Sequence, residues 1–127
     1  MGMKDRKKVM INFTNHPSSQ WSLEQIKAAQ DFGEIQDLPF PQISPSADRK
    51  EVMDIAQTYV QEILQKKPEA VICQGEFTLA YSITKRLREE GIPVLAACSE
   101  RMGREKVTEK GTQKEVLFQF KWFREYE

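Results

Sequence analysis

The hydrophobic pattern along the chain predicts strands that alternate with helices. Short apolar runs such as Val71-Ile72-Cys73 are typical of strands covered on both faces of a sheet. A weaker alternation near the carboxyl end predicts a last strand, and its cations Lys121 and Arg124 suit a sheet edge. The predicted strands cover residues 8–13, 34–37, 70–73, 92–98 and 114–123.

Three helices are predicted in the connections between these strands. Ser22 and Gln25 form a capping box for the first helix, which runs to about Phe32. Asp48 is suited to cap the second helix, in which apolar residues recur at i, i+3, i+4 and i+7 from Val52 onward. The predicted helices cover residues 23–32, 49–67 and 77–90.

This order of elements predicts an α/β fold. Helices between strands imply parallel pairing with right-handed crossovers. We expect a Rossmann-like three-layer sandwich with a mostly parallel five-stranded sheet in the order 2-1-3-4-5. The last strand should be an antiparallel edge strand, because its connection holds no predicted helix. Residues 38–47 contain three prolines and should form an extended loop that packs on the body, and residues 99–112 should form a polar loop.

Length and charge restrict the class of protein. A chain of 127 residues is expected to form one domain, here residues 3–127, with Met1-Gly2 as an expression remnant. Nineteen basic and nineteen acidic residues give no net charge, so we expect no duplex-DNA partner. No apolar run is long enough to span a bilayer, and no signal peptide precedes the first strand, so the expected location is cytoplasmic with no membrane partner.

The sequence gives little support for a metal or a cofactor. It has one histidine, no tight carboxylate cluster, and no P-loop or dinucleotide fingerprint, so no metal site and no cofactor are predicted. Cys73 and Cys98 are too few for a disulfide framework. Because each lies in an apolar run, both are expected to be buried free thiols.

Polar side chains follow three of the predicted parallel strands. In open α/β sheets, ligands bind outside the carboxyl ends of the strands, where the strand order reverses. The three clusters should therefore meet at one edge of the sheet and form a binding site. Asn12 lies near the end of the first strand, and Thr14, Asn15, His16 and Ser18 follow it. Gln74, Gly75, Glu76 and Thr78 follow the third strand, and Ser99 and Arg101 follow the fourth.

Each candidate also has a structural interpretation. His16 is of the residue type that serves best in acid–base work or phosphate binding, but it also fits a loop residue that only shapes a turn. Arg101 can fork onto a phosphate or pair with a nearby carboxylate. Gly75 allows the backbone close to a ligand, whereas Glu76 favours the helix start and repels phosphate.

The stretch "INFTNHPSSQWSLEQ" after the first strand resembles the "NF-S/T-HP" opening of small stand-alone CRISPR-associated proteins. Those proteins are related to CARF domains, which are Rossmann-like sensors of cyclic oligoadenylates, and several small members are ring nucleases. Asn15 is an insertion relative to the shorter pattern. The motif covers about a tenth of the chain, while the agreement in length and element order covers most of it. The segments "CQGEFT" and "AACSER" lie where such proteins place ligand loops.

The resemblance implies a homodimer that holds a cyclic oligoadenylate across its two-fold axis and opens the ring without a metal. By this resemblance, Asn15 and Ser18 position the ring, and His16 and Arg101 stabilise or protonate phosphate oxygens. Gly75 and Thr78 cradle the backbone of the ligand, and Glu76 contacts a base or sugar.

Three other functions are compatible with the sequence. The first alternative is a binding module of the same fold that senses a nucleotide and cleaves nothing. It is also compatible with an enzyme on nucleosides or nucleotides that uses Glu76 as its nucleophile. A third alternative is an interaction protein whose aromatic carboxyl-terminal strand, residues 118–126, docks edge to edge with a partner.

Overall fold

A computed structural model describes residues 7–127 of the chain. The predicted remnant Met1-Gly2 and the predicted domain start at Met3 lie outside these residues. The described chain contains five strands, three α-helices and a short 3-10 turn at Ser18–Gln20. The elements are β1 Val9–Phe13, α1 Leu23–Gln30, β2 Glu34–Asp37, α2 Arg49–Gln65, β3 Ala70–Cys73, α3 Phe77–Glu89, β4 Val94–Thr108 and β5 Gly111–Glu125.

The strands form one sheet in the order β2-β1-β3-β4-β5. The first four strands are parallel to one another, and β5 is antiparallel to β4 at the edge. This confirms the predicted strand order and the predicted antiparallel edge strand. The order reverses between β1 and β3, since β2 adds to one side of β1 and β3 to the other.

Helices cover both faces of the sheet, which confirms the predicted Rossmann-like sandwich. On one face, α2 and α3 bury a core that includes Phe13 and Val71 of the sheet. On the other face, α1 covers a smaller core that includes Met10 and Ile72. β1 and β3 are buried almost completely because both of their faces meet helices.

Local capping signals place the first two helices. The Ser22 hydroxyl accepts from the Gln25 N–H at 3.2 Å, and the Asp48 carboxylate accepts from the Glu51 N–H at 2.8 Å. Each bond satisfies one of the N–H groups that a helix start leaves without a helical partner. Both caps agree with the sequence prediction. No helix within residues 7–127 is long and apolar enough to cross a membrane.

The prediction of a polar loop over residues 99–112 was wrong. β4 continues to Thr108, and β5 begins at Gly111, so the segment forms most of a long antiparallel hairpin. β3 pairs with β4 only through Val71 and Ile72, so the rest of β4 has β5 as its one neighbouring strand in the described chain. We call residues 99–120 the ribbon, because this part extends past the four parallel strands.

Candidate functional site

The first two polar clusters lie at neighbouring strand ends, as the sequence predicted. β1 and β3 pair in parallel, with Asn12 opposite Ile72 and Phe13 opposite Cys73. The residues that follow Phe13 and Cys73 therefore leave the sheet side by side, at the point where the strand order reverses. This edge of the sheet is the candidate site.

Asn12 organises the loop after β1. Its side chain is 1% exposed and has partners for both amide protons. The amide nitrogen donates to the His16 carbonyl and to Asp37 Oδ1, each at 2.9 Å. The amide oxygen accepts from the Thr14 hydroxyl at 2.8 Å, and the same hydroxyl accepts from the His16 N–H at 3.1 Å. Asn12 and Thr14 are thus bonded within the protein, where they fix the turn beneath His16.

Asp37 is a member of this network that the sequence analysis missed. Its carboxylate accepts from the Asn12 amide, from the Ser18 N–H at 3.2 Å and from the Ser18 hydroxyl at 3.0 Å. Charge-assisted bonds of this kind are stronger than neutral ones. Asp37 reaches Asn12 because the two residues are paired at the ends of β2 and β1, a tertiary relationship with no local signal in the sequence. Ser18, predicted to bind ligand, is thereby held against Asp37.

His16 is fixed by its backbone while its side chain faces solvent. The His16 carbonyl accepts from the Asn12 amide at 2.9 Å and from the indole N–H of Trp21 at 3.1 Å. The imidazole is exposed, and no residue within the described range 7–127 hydrogen-bonds it. The neighbouring Asn15 is exposed as well. These two side chains are therefore free to meet a ligand from a rigid loop.

Gly75 lies beneath an aromatic ring of its own chain. Phe40, in the proline-rich loop after β2, is 4% exposed and packs on Phe13 with ring centroids 4.8 Å apart. A Cβ at position 75 would come within 2.5 Å of the Phe40 ring. The space that the missing Cβ of Gly75 leaves open is thus occupied by the Phe40 ring and not by a ligand. The prediction that residues 38–47 pack on the body is confirmed by this contact.

Gln74 joins two strands at the point where they separate. Its side-chain oxygen accepts from the Ala97 N–H at 2.8 Å. The last paired residues of β3 and β4 are Ile72 and Leu95. The Ala97 N–H lies beyond this pairing, and the Gln74 side chain gives it an acceptor. Gln74 lies at the candidate edge, but its carbonyl oxygen is used within the protein.

Glu76 caps α3. Its carboxylate accepts from the Leu79 N–H at 2.8 Å and from the Thr78 hydroxyl at 2.7 Å. These two hydrogen bonds, that from Leu79 first, hold the pKa of Glu76 below its ordinary value. The residue therefore stays ionised and covers the N–H groups that an anion would otherwise use. Glu76 and Thr78 remain exposed at the candidate edge.

The third cluster is built differently from the prediction. Ser99 and Arg101 lie on β4, at the base of the ribbon, and do not form a loop after the strand. Ser99 pairs with Phe120, and Arg101 pairs with Phe118. Both polar side chains are exposed and point to the same face of the ribbon, because they are two residues apart. Their positions are set by strand pairing with β5.

The two cysteines differ in burial. Cys73 is fully buried, and desolvation raises the pKa of its thiol to about 11. The hydroxyl of Tyr126 donates to the Cys73 carbonyl at 3.1 Å and ties the carboxyl-terminal segment to β3. Cys98 is only partly buried, so the prediction of two buried thiols was wrong for this residue. It pairs with Trp122, which is exposed at the edge strand.

Residues 7–127 contain no group of three or more His, Cys, Asp or Glu side chains that could hold a metal ion. What the candidate edge offers is a rigid polar loop with an exposed imidazole and amide at the end of β1, and the cap of α3 after the end of the neighbouring strand β3. Such an arrangement presents hydrogen-bond donors and one titratable group to a small polar ligand.

Comparison with known proteins identifies the family of the chain. A search of the curated proteins finds no significant match. The match to a protein family covers all but the first seven and the last three residues of the chain, and so spans the sheet from β1 into β5. The family is described as "Uncharacterized protein MJ1673 family", a description that states no ligand or reaction. Since residues 8–124 match it, the chain belongs to the MJ1673 family.

Proposed function

We propose that the protein binds a cyclic oligoadenylate at the carboxyl ends of β1 and β3 and opens the ring without a metal ion. The observation that carries this proposal is His16, whose backbone is fixed by Asn12 and Trp21 while its imidazole is free. The resemblance of the "NFTNHP" stretch to small CARF-like proteins supplies the ligand class. The fold adds support, since its strand order reverses at this edge.

The exposed groups suit an anionic ligand with polar bases. The Asn15 amide can donate to a base or phosphate, and a protonated His16 imidazole can donate to a phosphate oxygen. Arg101 adds a fixed positive charge at the base of the ribbon. The chain has no net charge, so this attraction acts through local donors. Glu76 is already ionised and suits an acceptor for a base or ribose hydroxyl.

The proposed reaction needs no group beyond the ligand and these side chains. The ribose 2′-oxygen attacks the adjacent phosphorus in line, and the bond from phosphorus to the 5′-oxygen breaks. The 2′-hydroxyl loses its proton to a base, and the departing 5′-oxygen takes a proton. The products are a 2′,3′-cyclic phosphate and a 5′-hydroxyl. His16 is the side chain that exchanges these protons in this proposal, and in-line positioning with fixed donors supplies much of the barrier reduction.

A homodimer belongs to this proposal, because a two-fold axis doubles every donor around a symmetric ring. Each copy would contribute one His16 and one Arg101. The proposed location is cytoplasmic, where a nucleotide signal of this class would be met.

A sensor that binds the ring without cleaving it is the second candidate. One observation favours it: within residues 7–127 no carboxylate or other group hydrogen-bonds the His16 imidazole. Efficient acid–base residues are usually oriented by a third group. Glu76 is a weaker basis for a nucleoside-processing enzyme, because its carboxylate already holds Thr78 and the start of α3.

Binding measurements with site variants test the proposal. Cyclic tri-, tetra- and hexa-adenylate are titrated into the wild-type protein and into His16→Ala, Arg101→Ala and Arg88→Ala. Arg88 is an exposed cation at the other end of α3 and is the matched control. We expect tighter binding of one ring by wild type and Arg88→Ala than by the other two variants. Equal affinity in all four proteins would overturn the assignment of the site.

A further inference from the structure

The ribbon has no packing partner along most of its length. β4 and β5 pair from Leu95 to the hairpin turn, but β3 reaches only Val94 and Leu95. Residues 99–107 are all exposed. A two-stranded ribbon alone in water is marginally stable, and packing against another layer is what usually supports one.

One face of the ribbon carries an apolar strip that continues from the core. Phe120 is 9% exposed and packs on Phe123 at a centroid distance of 4.9 Å. Two residues further along the same face, Phe118 is 72% exposed, and Val116 comes next. We call this the Phe118 face. It comprises Ser99, Arg101, Gly103, Glu105, Val107, Thr112, Lys114, Val116, Phe118 and Phe120.

The opposite face carries the ion pairs of the ribbon and one half-exposed apolar pair, Met102 and Leu117. Arg104 Nε lies 3.1 Å from a Glu115 carboxylate oxygen, and Lys106 Nζ lies 3.8 Å from the other. Nearer the base, Lys121 pairs with Glu100 at 3.0 Å. These charges are matched within the chain and suit a face that stays in water. The two faces therefore differ, and the Phe118 face is the one that exposes unpaired aromatic surface.

Gly103 has no explanation within the described chain. It pairs with Val116 in the middle of β4, has no left-handed φ, and a Cβ built on it meets nothing within 4 Å. A depression of about 440 Å³ adjoins it, lined on this face by Arg101, Glu105, Lys114 and Val116 and reaching around the strands to Arg104 and Glu115. Glycine inside a strand weakens the strand and often marks the close approach of another chain or a ligand.

We infer that the ribbon is a dimer contact, in which the Phe118 face packs on the same face of a second copy of this chain. The Phe118 ring of each copy would enter the depression over Gly103 of the other. The pairs Arg101–Phe118 and Gly103–Val116 are successive on this face, so the projection and the depression are neighbours. A two-fold axis between them makes the surface self-complementary, as an isologous interface requires.

The area is sufficient for a reversible dimer. Strands rise about 3.3 Å per residue and lie about 4.8 Å apart, so the face is about 30 Å long and about 10 Å wide. The relief of the side chains roughly doubles this flat footprint of about 300 Å², to about 600 Å² on each copy. The two copies together would bury about 1,200 Å², which is the lower end of specific interfaces. We therefore expect dissociation on dilution. This contact would form the homodimer of the proposed function. It rests on that function only for the expectation of a second copy.

Sedimentation equilibrium of the full chain over a range of concentrations tests this contact without any ligand. The variants are Gly103→Thr, which favours a strand but fills the depression, and Phe118→Ser. The controls on the opposite face are Gln113→Thr and Leu117→Ser; Leu117 is 49% exposed. Circular dichroism confirms that each variant is folded. We expect a concentration-dependent wild-type dimer, a dissociation constant raised about tenfold or more by the first two variants, and little change in the controls.

Two results would overturn the inference. One is a wild-type protein that remains monomeric at every concentration. The other is a dimer that Gly103→Thr and Phe118→Ser leave unchanged, which would point to edge-to-edge pairing through β5. Loss of cyclic-oligoadenylate binding with the dimer intact would contradict the proposed function and leave this contact standing. Ligand binding by a wild-type protein that stays monomeric would contradict this contact and leave the proposed ligand standing.

Discussion

The Phe40 ring lies directly over Gly75, so that a Cβ at position 75 would come within 2.5 Å of the ring carbons. This contact fastens the loop after β2 across the ends of β1 and β3. Part of the crevice where the strand order reverses is therefore filled by the protein itself. Asn15 and His16, on the loop after β1, stay exposed at the same edge of the sheet.

Substituting Gly75 with alanine should destabilise the protein through overpacking. We expect Gly75→Ala to lower the free energy of unfolding by about 1–3 kcal/mol, since Phe40 and Phe13 must shift to admit a methyl group. Phe40→Ala alone should cost about 3–5 kcal/mol. In the Phe40→Ala background the alanine at position 75 should be tolerated much better. Urea unfolding of the four proteins checks this, and additive effects would contradict the contact.

Asp37 should stabilise the loop after β1 more than an ordinary surface carboxylate does. Asp37→Ala leaves an amide proton of the buried Asn12 and the Ser18 N–H without their acceptor. We expect a loss of about 1–3 kcal/mol in the free energy of unfolding, together with faster amide exchange at Ser18. Asp54→Ala, at an exposed position of α2, is the control. Equal effects of the two substitutions would show that the network adds no stability.

The parallel part of the fold followed from the sequence because its signals are local and agree. Apolar runs mark β1 and β3, and caps such as Ser22 and Asp48 mark helix starts. Element order then restricts the topology, since parallel strands need helical crossovers. The placement of polar residues at the ends of β1 and β3 came from the same argument.

The ribbon was missed because the usual strand pattern is absent. Residues 99–108 have no alternation of apolar and polar residues, since both faces of this part of β4 are exposed. One usable signal was Gly111, which takes a φ of 107° next to the two turn residues. The roles of Asp37 and Phe40 were missed for another reason, because they depend on tertiary contacts between distant segments.

The two cysteines should react with thiol reagents at different rates. Burial raises the pKa of Cys73 to about 11, so almost none of it is thiolate at neutral pH, and its side chain has no exposed surface. Cys98 is partly accessible. We expect iodoacetamide to modify Cys98 first in the native protein and Cys73 only after unfolding. Peptide mass spectrometry of samples taken over time checks the order, and early modification of Cys73 would contradict its burial.

The cap formed by Glu76 should make stability depend on pH. A carboxyl group with a lowered pKa in the folded state stabilises the fold above its ordinary pKa, and this contribution is lost as pH falls through the lowered value. Glu76→Gln removes the charge but keeps a side-chain oxygen, so it should lower the free energy of unfolding at neutral pH by about 0.3–1 kcal/mol at most. This difference from wild type should become smaller as the pH falls. Unfolding curves across this range test it, with Glu62→Gln on α2 as the control. A difference that does not change with pH would contradict the charged cap.

His16→Ala should change function and leave stability almost unchanged. The network beneath the residue uses its backbone carbonyl and N–H, which alanine retains. We expect an unfolding free energy within about 0.5 kcal/mol of wild type, as for most surface substitutions. Thermal unfolding followed by circular dichroism checks this. A large loss of stability would show that the imidazole has a structural role.

The most direct test of the proposed function is incubation of the wild-type protein with cyclic tri-, tetra- and hexa-adenylate in EDTA, with products separated by chromatography. His16→Ala is run beside it. We expect one ring to be converted to linear products ending in a 2′,3′-cyclic phosphate, and we expect His16→Ala to slow this conversion. If a ring binds and is not cut, the sensor is the correct form of the proposal. If no ring is cut and none raises the melting temperature, the assignment of this ligand to the edge of β1 and β3 is contradicted.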